Sequence, residues 1–526
     1  MAGIGFELKK LMGKGNIVNM LAGTTYAIMV TIGPTILLTG TLMLMYVILP
    51  YSTSSFADRE FLSATILYVF IFSMIVTSPL NSVLSRYVAD KIYQEKLTDI
   101  MPAIHVGLVI NIVGASLLSM IIVFREVQVG IDPLFIFMSY WFFMVINMSL
   151  YLMTYVSALK DYGKISMAYF IGILAALVYA IVNVYILHNA VSYSILGSLV
   201  LAFSIIATML YANLKSYFRH SSKNYIESLK YFMRFKPLFI TNFFYTLGLY
   251  IHNFVYWTTD YGVYIGNVFW TSPEYDMATC LALFTNISTL VIFVVKAETA
   301  FFSSYQAYLE AVNGGGGEDI EMAKKSMFRT LKSELFYIIR FQFVITIIIF
   351  ILAMIFLPNF GFEGTVLSIY PALAAAYFVT FIMYCEIIFL FYFDDSFGTC
   401  LVSVGFCAVT LIASIVTTHF DVVFAGLGLF CGAFVGWTIG YMRLRRVINK
   451  IDEQIFCRGA IIGTTSAGRM SKKRIEEADE QLSYLKMSKE EKIRYEAEQQ
   501  KQRMFAAQRE QKRDELKDIA QQAKRK

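Results

Sequence analysis

The sequence predicts an all-α, polytopic membrane protein of twelve transmembrane helices in two six-helix lobes. Three observations carry this. Only 16% of the 526 residues are charged and 57% are hydrophobic, whereas a soluble chain carries roughly 25% charged residues. Twelve apolar runs recur, near 17–49, 61–84, 103–124, 133–157, 165–187, 192–213, 237–258, 277–295, 336–357, 366–392, 397–417 and 422–442, and a helix needs about 20 such residues to cross a bilayer. Lys and Arg fall on alternate sides of these runs. Of the 26 through residue 450 (44 in the chain less 18 in 451–526), only Arg59 and Arg125 lie in odd-to-even loops. The positive-inside rule then places both termini in the cytoplasm. A missed or extra span would scramble that 24-to-2 split (26 less 2). The alternating short segments of a β-barrel are absent.

The first span sets the pattern. A short amphipathic segment with Lys9, Lys10 and Lys14 precedes a run without formal charge from Gly15 to Ala57, 43 residues. No small-residue cleavage site breaks that run, so no removable signal peptide is expected. Pro34 removes a backbone donor and Gly33 before it loosens the turn, which predicts a kink there. A bent helix of this kind lines a cavity or moves, since freed backbone groups inside a bilayer need partners. The plain alternative is a tolerated proline in an ordinary first helix.

Spans 1–6 and 7–12 begin on the same side. The expected divisions are an N-terminal lobe over 1–214, a basic connection over 215–236, a C-terminal lobe over 237–450 and a charged tail over 451–526. Span 7 resembles span 1, with a basic amphipathic approach and polar residues deep inside, which suggests parallel repeats about an axis along the membrane normal. The longest outer loop, Thr258 to Asp276, has 19 residues, so no external domain is expected. The connection from Lys296 to Glu334 contains four glycines at 314–317, a flexible linker by composition. The tail holds 18 basic and 14 acidic residues and reads as a solvated helix or disordered segment. It serves either to solubilise or to dock a partner.

Composition and motif exclude most chemistry. There is no phosphate-binding glycine loop and no zinc-protease helix. The five histidines are scattered and the six cysteines form no C-x-x-C pair. No catalytic residue, metal site or cofactor is predicted, and no nucleic acid is expected as a partner. What the spans do offer is polar and aromatic. In span 7, Asn242, Tyr245, Asn253 and Tyr256 follow helical spacing, flanked by His252. Span 4 has Asn147 and Tyr151, and span 1 has Asn19 and Tyr26. Three such faces suit the lining of an aqueous passage in a central cavity: aromatic rings stack on sugars, and Asn and Tyr hydrogen-bond hydroxyl and acetamido groups. The alternative for each is interhelical glue. Glu386 lies inside span 10, where a carboxylate is costly and marks a functional candidate; it suits a coupling proton or a polar cavity wall, unless it is solvated near the interface. His252 and Glu298 join it as candidates for coupling. No Lys or Arg sits near the middle of a span. A neutral or cationic cargo therefore fits better than a lipid diphosphate, whose buried charge needs cationic partners.

The opening string MAGIGFELKKL, the Gly33–Pro34 first helix and the stretch KAETAFFSSY at 296–305 resemble the PelG family, the membrane transport subunits of Pel exopolysaccharide synthases. The resemblance covers residues 1 to about 455. It implies the multidrug/oligosaccharidyl-lipid/polysaccharide exporter superfamily, with two lobes around a cavity in the bacterial cytoplasmic membrane. It further implies export of an N-acetylhexosamine-rich polymer, mainly N-acetylgalactosamine, for biofilm matrix. The implied partners are a cytosolic PelF-like glycosyltransferase using a UDP-sugar and other Pel membrane subunits such as PelD. The tail departs from the short C-terminus expected of the family. Docking of the glycosyltransferase is expected on the cytoplasmic face, through Lys223, Lys230 and Arg234. Two other functions share these features: a cation-coupled exporter of small amphiphilic molecules, and a scaffold that anchors the glycosyltransferase without transporting.

Overall fold

The computed structural model describes residues 33–451, apart from 52–53, 160–161, 290–292, 294–298 and 361–363. The chain divides into two units, Met1–Asn449 and Lys450–Lys526. Only the first two residues of the second unit are described. In the first unit the helices are α1 (Gly33–Ile48), α2 (Phe56–Tyr93), α3 (Ile100–Val129), α4 (Pro133–Ala158), α5 (Tyr162–Ile181), α6 (Val191–Tyr217), α7 (Ile226–Arg234), α8 (Lys236–Trp257), α9 (Pro273–Asn286), α10 (Thr299–Gly314), α11 (Gly317–Phe356), α12 (Thr365–Tyr392), α13 (Ser396–Thr417) and α14 (Leu427–Asn449). Ten of the predicted spans fall on one of these, and spans 1 and 8 overlap α1 and α9 within the described residues; α7 and α10 are extra, in the basic connections.

Among the described residues nine helices are long and apolar enough to cross a membrane. α1 begins at the edge of the described residues, and α9 has 14 residues. α8 is long enough at 22 residues, but its Asn, Thr, Tyr and His side chains lower its hydropathy. The exposed faces fit a hydrocarbon solvent. Val109, Val113, Leu117, Ile121 and Phe124 of α3 repeat at helical spacing and are all exposed, a stripe that only lipid tolerates at this size.

Local chemistry sets the helix ends. Ser55 caps α2 by accepting from the Asp58 amide at 3.1 Å, and Asp395 caps α13 by accepting from the Gly398 amide at 3.1 Å, each satisfying an orphan first-turn donor. α3 ends where Gly130 enters the left-handed region at φ 82, and Ile131 N–H closes onto Glu126 C=O at 3.1 Å, a glycine-terminated helix end.

The two halves repeat one packing pattern. α4 packs on α6, α5 on α6, α2 on α4, α1 on α5 and α3 on α4. Six spans on, α12 packs on α14, α13 on α14, α9 on α12, α8 on α13 and α11 on α12. Buried amides occupy equivalent helix triplets. In the first half Asn147 of α4 accepts from Thr77 of α2 at 3.0 Å, donates to Ser73 of α2 at 3.0 Å, and its backbone carbonyl accepts from Asn111 of α3 at 3.1 Å. In the second half Asn286 of α9 donates to the Ala374 carbonyl of α12 at 2.9 Å and accepts from Thr346 of α11 at 2.7 Å. Gln342 of α11, also buried, accepts from Ser288 at 2.9 Å. Inside a membrane such groups must find protein partners, so they fix helix register as well as adding stability.

The loop between α8 and α9 holds a structure that the sequence reading did not assign. β1 (Val263–Ile265) pairs antiparallel with β2 (Phe269–Thr271), Ile265 opposite Phe269. The turn needs positive φ at Gly266 (57) and Asn267 (56), which glycine and asparagine supply at low cost. Gly266 also lies against the ring of Phe61, leaving no room for a side chain. Ala64, Ile265 and Phe269 form a small core with Phe61, Tyr68 and Ile122, so the hairpin is seated on the ends of α2 and α3.

Candidate functional site

The seam between the halves is chiefly α2 against α8, and its character changes along its length. One end of the molecule collects the basic connections, and the other carries the acidic loops. At the basic end Arg86 meets Asp394 at 3.0 Å, with side chains 34% and 54% exposed, so this bridge adds little stability. The Arg86 guanidinium also sits 4.6 Å from the Phe235 ring centroid. Moving inward, Ser82 donates to the Pro79 carbonyl of its own helix at 2.9 Å with the Leu238 carbonyl 3.4 Å away, and Thr246 donates to Ser78 at 2.8 Å. Beside the seam Asn81, Asn242 and Tyr245 are half-buried, and Asn81 donates to Thr154 of α4 at 2.8 Å. The Tyr245 ring stacks on Tyr384 of α12 at 5.0 Å, 27° between planes. Toward the acidic end the seam becomes apolar. Phe72 stacks on Phe254 at 5.7 Å and 10°, and Tyr68 stacks on Trp257 at 4.9 Å and 15°. The Tyr68 hydroxyl donates to the Trp270 carbonyl at 2.6 Å and accepts from the Trp270 amide at 3.1 Å, tying the hairpin of the second half to α2 of the first. The acidic end is thus sealed by aromatic stacking, while the basic half keeps partly exposed polar and aromatic groups.

The predicted stripe of span 7 divides between these regions. Asn242 donates to the Leu238 carbonyl of its own helix at 3.0 Å and stays half-buried, while Tyr245 turns toward α12 and α13, against Tyr384 and Phe406. Asn253 and Tyr256 are buried at 2% exposure on the side that faces α9 and α13. Asn253 donates to Asp276 at 2.7 Å, and Trp257 donates to the same carboxylate at 2.9 Å. Tyr256 donates to Thr417 at 3.1 Å and stacks on Tyr275 at 4.2 Å. His252 is fully buried, 2.7 Å from the Tyr275 hydroxyl and 3.0 Å from the Leu249 carbonyl. The sequence reading did not single out Tyr275, nor did it place Asp276 at the centre of this cluster. Their signal was their position opposite Asn253 and Trp257, which only the turn between α8 and α9 reveals.

The span 4 residues sit among α2, α3 and α4. Asn147 is fully buried in the clamp described above, and Tyr151, also fully buried, donates to the Ile104 carbonyl at 3.0 Å. Asn19, Tyr26 and Glu298 lie outside the described residues. Gly33 and Pro34 open the described part of α1, so the predicted bend lies at the edge of what is described.

Glu386 is buried at 2% exposure between α12 and α14. It takes a hydrogen bond from Trp437 and packs onto Gly440, and its Oε2 has no partner. The missing Cβ at Gly440 makes the room for the carboxylate.

The three docking candidates stand on a fixed base. Lys223, Lys230 and Arg234 are exposed. Beneath them Lys91, itself buried, pairs with Glu227 at 2.8 Å and Asp99 at 3.2 Å. Ser222 donates to Asp99 at 2.6 Å and Tyr231 to Asp90 at 2.7 Å. Burial, with the bond to Asp90, pushes the Tyr231 hydroxyl up to about 12, so it stays a donor at neutral pH.

A paired-half bundle with a seam of this kind defines a class. The fold is that of MATE transporters of the MOP superfamily. An outward-facing multidrug resistance MATE family transporter superposes with a TM-score of 0.52 at 13% identity, over 85% of this chain and 98% of that one. The inward-facing conformation gives 0.53 at 12%, over 86% and 99%, so the likeness does not depend on transport state. The Vibrio cholerae MATE transporter VcmN in its bent form gives 0.54 at 12%, over 86% and 99%. No curated protein matches the chain. Residues 1–456 match the family model described as "PelG: Putative exopolysaccharide Exporter (EPS-E)". The chain belongs to the PelG family: it is a multi-pass membrane protein of exopolysaccharide-exporter type, and its family and fold are those of a transporter and not of an enzyme.

Proposed function

We propose that the chain exports a neutral, N-acetylhexosamine-rich exopolysaccharide of the Pel type across the bacterial cytoplasmic membrane, along the seam between α2 and α8. One observation carries the reading: toward the basic end, beside that seam, Asn81 of α2 and Asn242 and Tyr245 of α8 are only half-buried, with Asn81 bonded to Thr154 of α4 and Tyr245 stacked on Tyr384 of α12. Polar amides and paired aromatic rings recognise hydroxyl and acetamido groups and sugar faces. Their setting lacks Lys or Arg at mid-span, which suits an uncharged polymer. The basic end faces the cytoplasm, as the Lys and Arg distribution supports, and both termini lie there. A cytosolic PelF-like glycosyltransferase docks on Lys223, Lys230 and Arg234, held out by the Lys91–Glu227 anchor, and subunits such as PelD complete the assembly. Asn253 and Tyr256 stand behind the aromatic seal and join the lining when it opens. Asn147 and Tyr151 hold the wall from behind. Glu386 supplies a coupling charge.

Export of polymer by a reconstituted synthase tests this. Asn242→Leu and Tyr245→Leu each remove a polar contact worth about 1 kcal/mol and should cut export several-fold at unchanged protein level. Normal export from both would remove the seam from the pathway. Efflux of small amphiphilic dyes without polymer export would assign the chain to the other kind of exporter.

A further inference from the structure

We propose that the outer face of α11, at the basic end, binds an anionic phospholipid, and that this lipid holds α11 and α10 against the bundle. α11 has 40 residues, about 60 Å of helix, whereas the hydrocarbon of a bilayer is about 30 Å thick. Roughly half of it therefore stands outside the hydrocarbon. Its grip on the rest of the protein is slight: along its length only Met327, Leu331, Ile338 and Gln342 are buried. α10 folds back along its first half, with Ser304 3.2 Å from Thr330. Its second half meets α12 through two ring pairs, Phe350 with Tyr370 at 5.7 Å and Phe343 with Phe378 at 5.9 Å. Phe328 meets Phe393, the residue after α12, at 6.2 Å. The turn that holds Arg329 is thus level with the end of α12.

Opposite the buried residues, Arg329, Lys332, Phe336 and Arg340 follow helical spacing and are all exposed. The same face continues into Phe343 and Ile347, also exposed, in a run without charge that suits hydrocarbon. The part of this face just above the hydrocarbon meets the headgroup layer, and that continuity names lipid as the occupant. Among the described residues no carboxylate pairs with Arg329, Lys332 or Arg340. Lys325, further out, is already paired with Glu321 at 2.9 Å, and helical spacing turns Glu334 away from the stripe. Three cations without counter-charge on one face select an anion, and a guanidinium takes phosphate oxygens in pairs. Clusters of this kind beside a membrane span attract anionic lipid. Helical side chains lean toward the N-terminus of their helix, here the basic end. Arg340 therefore reaches up from the edge of the apolar run to the phosphate, toward Lys332 and Arg329, and the Phe336 ring lies against the first carbons of the acyl chains. Lipid binding is read without cargo, so its failure leaves the proposed export pathway untouched.

The experiment is thermal unfolding of the purified full-length protein in a neutral detergent, with phosphatidylglycerol, phosphatidylcholine or soluble glycerol phosphate added. Phosphatidylglycerol should raise the unfolding temperature saturably, by a few degrees more than phosphatidylcholine, and glycerol phosphate should leave it unmoved. Arg329→Gln, Lys332→Gln and Arg340→Gln should each weaken phosphatidylglycerol binding roughly fivefold. The three together should abolish the excess shift, and Arg340→Lys alone should keep part of it. The wild-type comparison decides the matter even if a variant fails to fold. Equal shifts from the two lipids, or an excess retained in the triple variant, would overturn the proposal. So would a shift from glycerol phosphate as large as that from the lipid, which would make this a free-phosphate site. Loss of glycosyltransferase co-purification in the triple variant, with the phosphatidylglycerol shift intact, would make the face a protein dock instead.

Discussion

Replacing Asn147 by leucine separates scaffold from passage. The side chain has three bonds: it accepts from Thr77 at 3.0 Å, and it donates to Ser73 at 3.0 Å and to the Phe143 carbonyl at 2.7 Å. Leucine is close in size and makes none of them. The first two bonds cross between helices, and losing them strands two buried hydroxyls. Interhelical hydrogen bonds in membranes average about 0.6 kcal/mol and reach about 1.7, so the expected loss is about 1–3 kcal/mol. The third bond lies within α4 and adds little. Asn242 makes the natural contrast, since its Nδ2 donates within its own helix at 3.0 Å, and Asn242→Leu should cost under about 0.5 kcal/mol. Thermal unfolding in one detergent, with polymer export normalised to folded protein, reads both. Asn147→Leu should unfold a few degrees lower and export normally per folded molecule. Asn242→Leu should unfold like the wild type and export poorly. If Asn147→Leu is fully stable but exports nothing, the clamp is part of the passage and the assignment of roles here is wrong.

Cysteines placed at Asn313 and Asn359 should label from opposite faces of intact cells; labelling of both from outside would break the topology. Glu386→Gln keeps an acceptor for Trp437 but fixes the group neutral, and it should assemble normally while losing export. Normal export by Glu386→Leu would reduce the residue to packing. Charge reversal at Lys223, Lys230 and Arg234 together should weaken co-purification of the glycosyltransferase, because those side chains are exposed while the Lys91–Glu227 pair under them stays intact. Undiminished co-purification with normal insertion would place the dock elsewhere, on the connection from Lys296 to Glu334 or on the tail.

Span positions were legible because bilayer thickness fixes helix length and lipid excludes charge. Those rules act on composition along the chain and need no knowledge of neighbours. They located Asn242 and Tyr245 as polar groups in an apolar helix, and Glu386 as a costly one. They did not tell which side of α8 faces the seam. Asn253 follows Asn242 by about three turns, yet α9 folds back so that Asp276 receives Asn253, and the two asparagines end in different surroundings. The hairpin was missed for a related reason. Its strands are three residues each, too short for a period to show, and they are held by Phe61 and Tyr68, some 200 residues away in sequence.

The sequence by itself determined that this chain crosses a membrane many times, with its basic loops gathered on one side, since those properties follow from local transfer free energies. Only the tertiary structure decided which polar groups are glue and which are available. Asn147, Asn286 and Gln342 are spent on neighbouring helices because packing delivers their partners at hydrogen-bond distance. Glu126 is not among the residues that the sequence singles out. Burial by α2, α4 and the hairpin removes water from it and leaves its Oε1 without a partner, and that is a property of the assembled helices rather than of any stretch of chain.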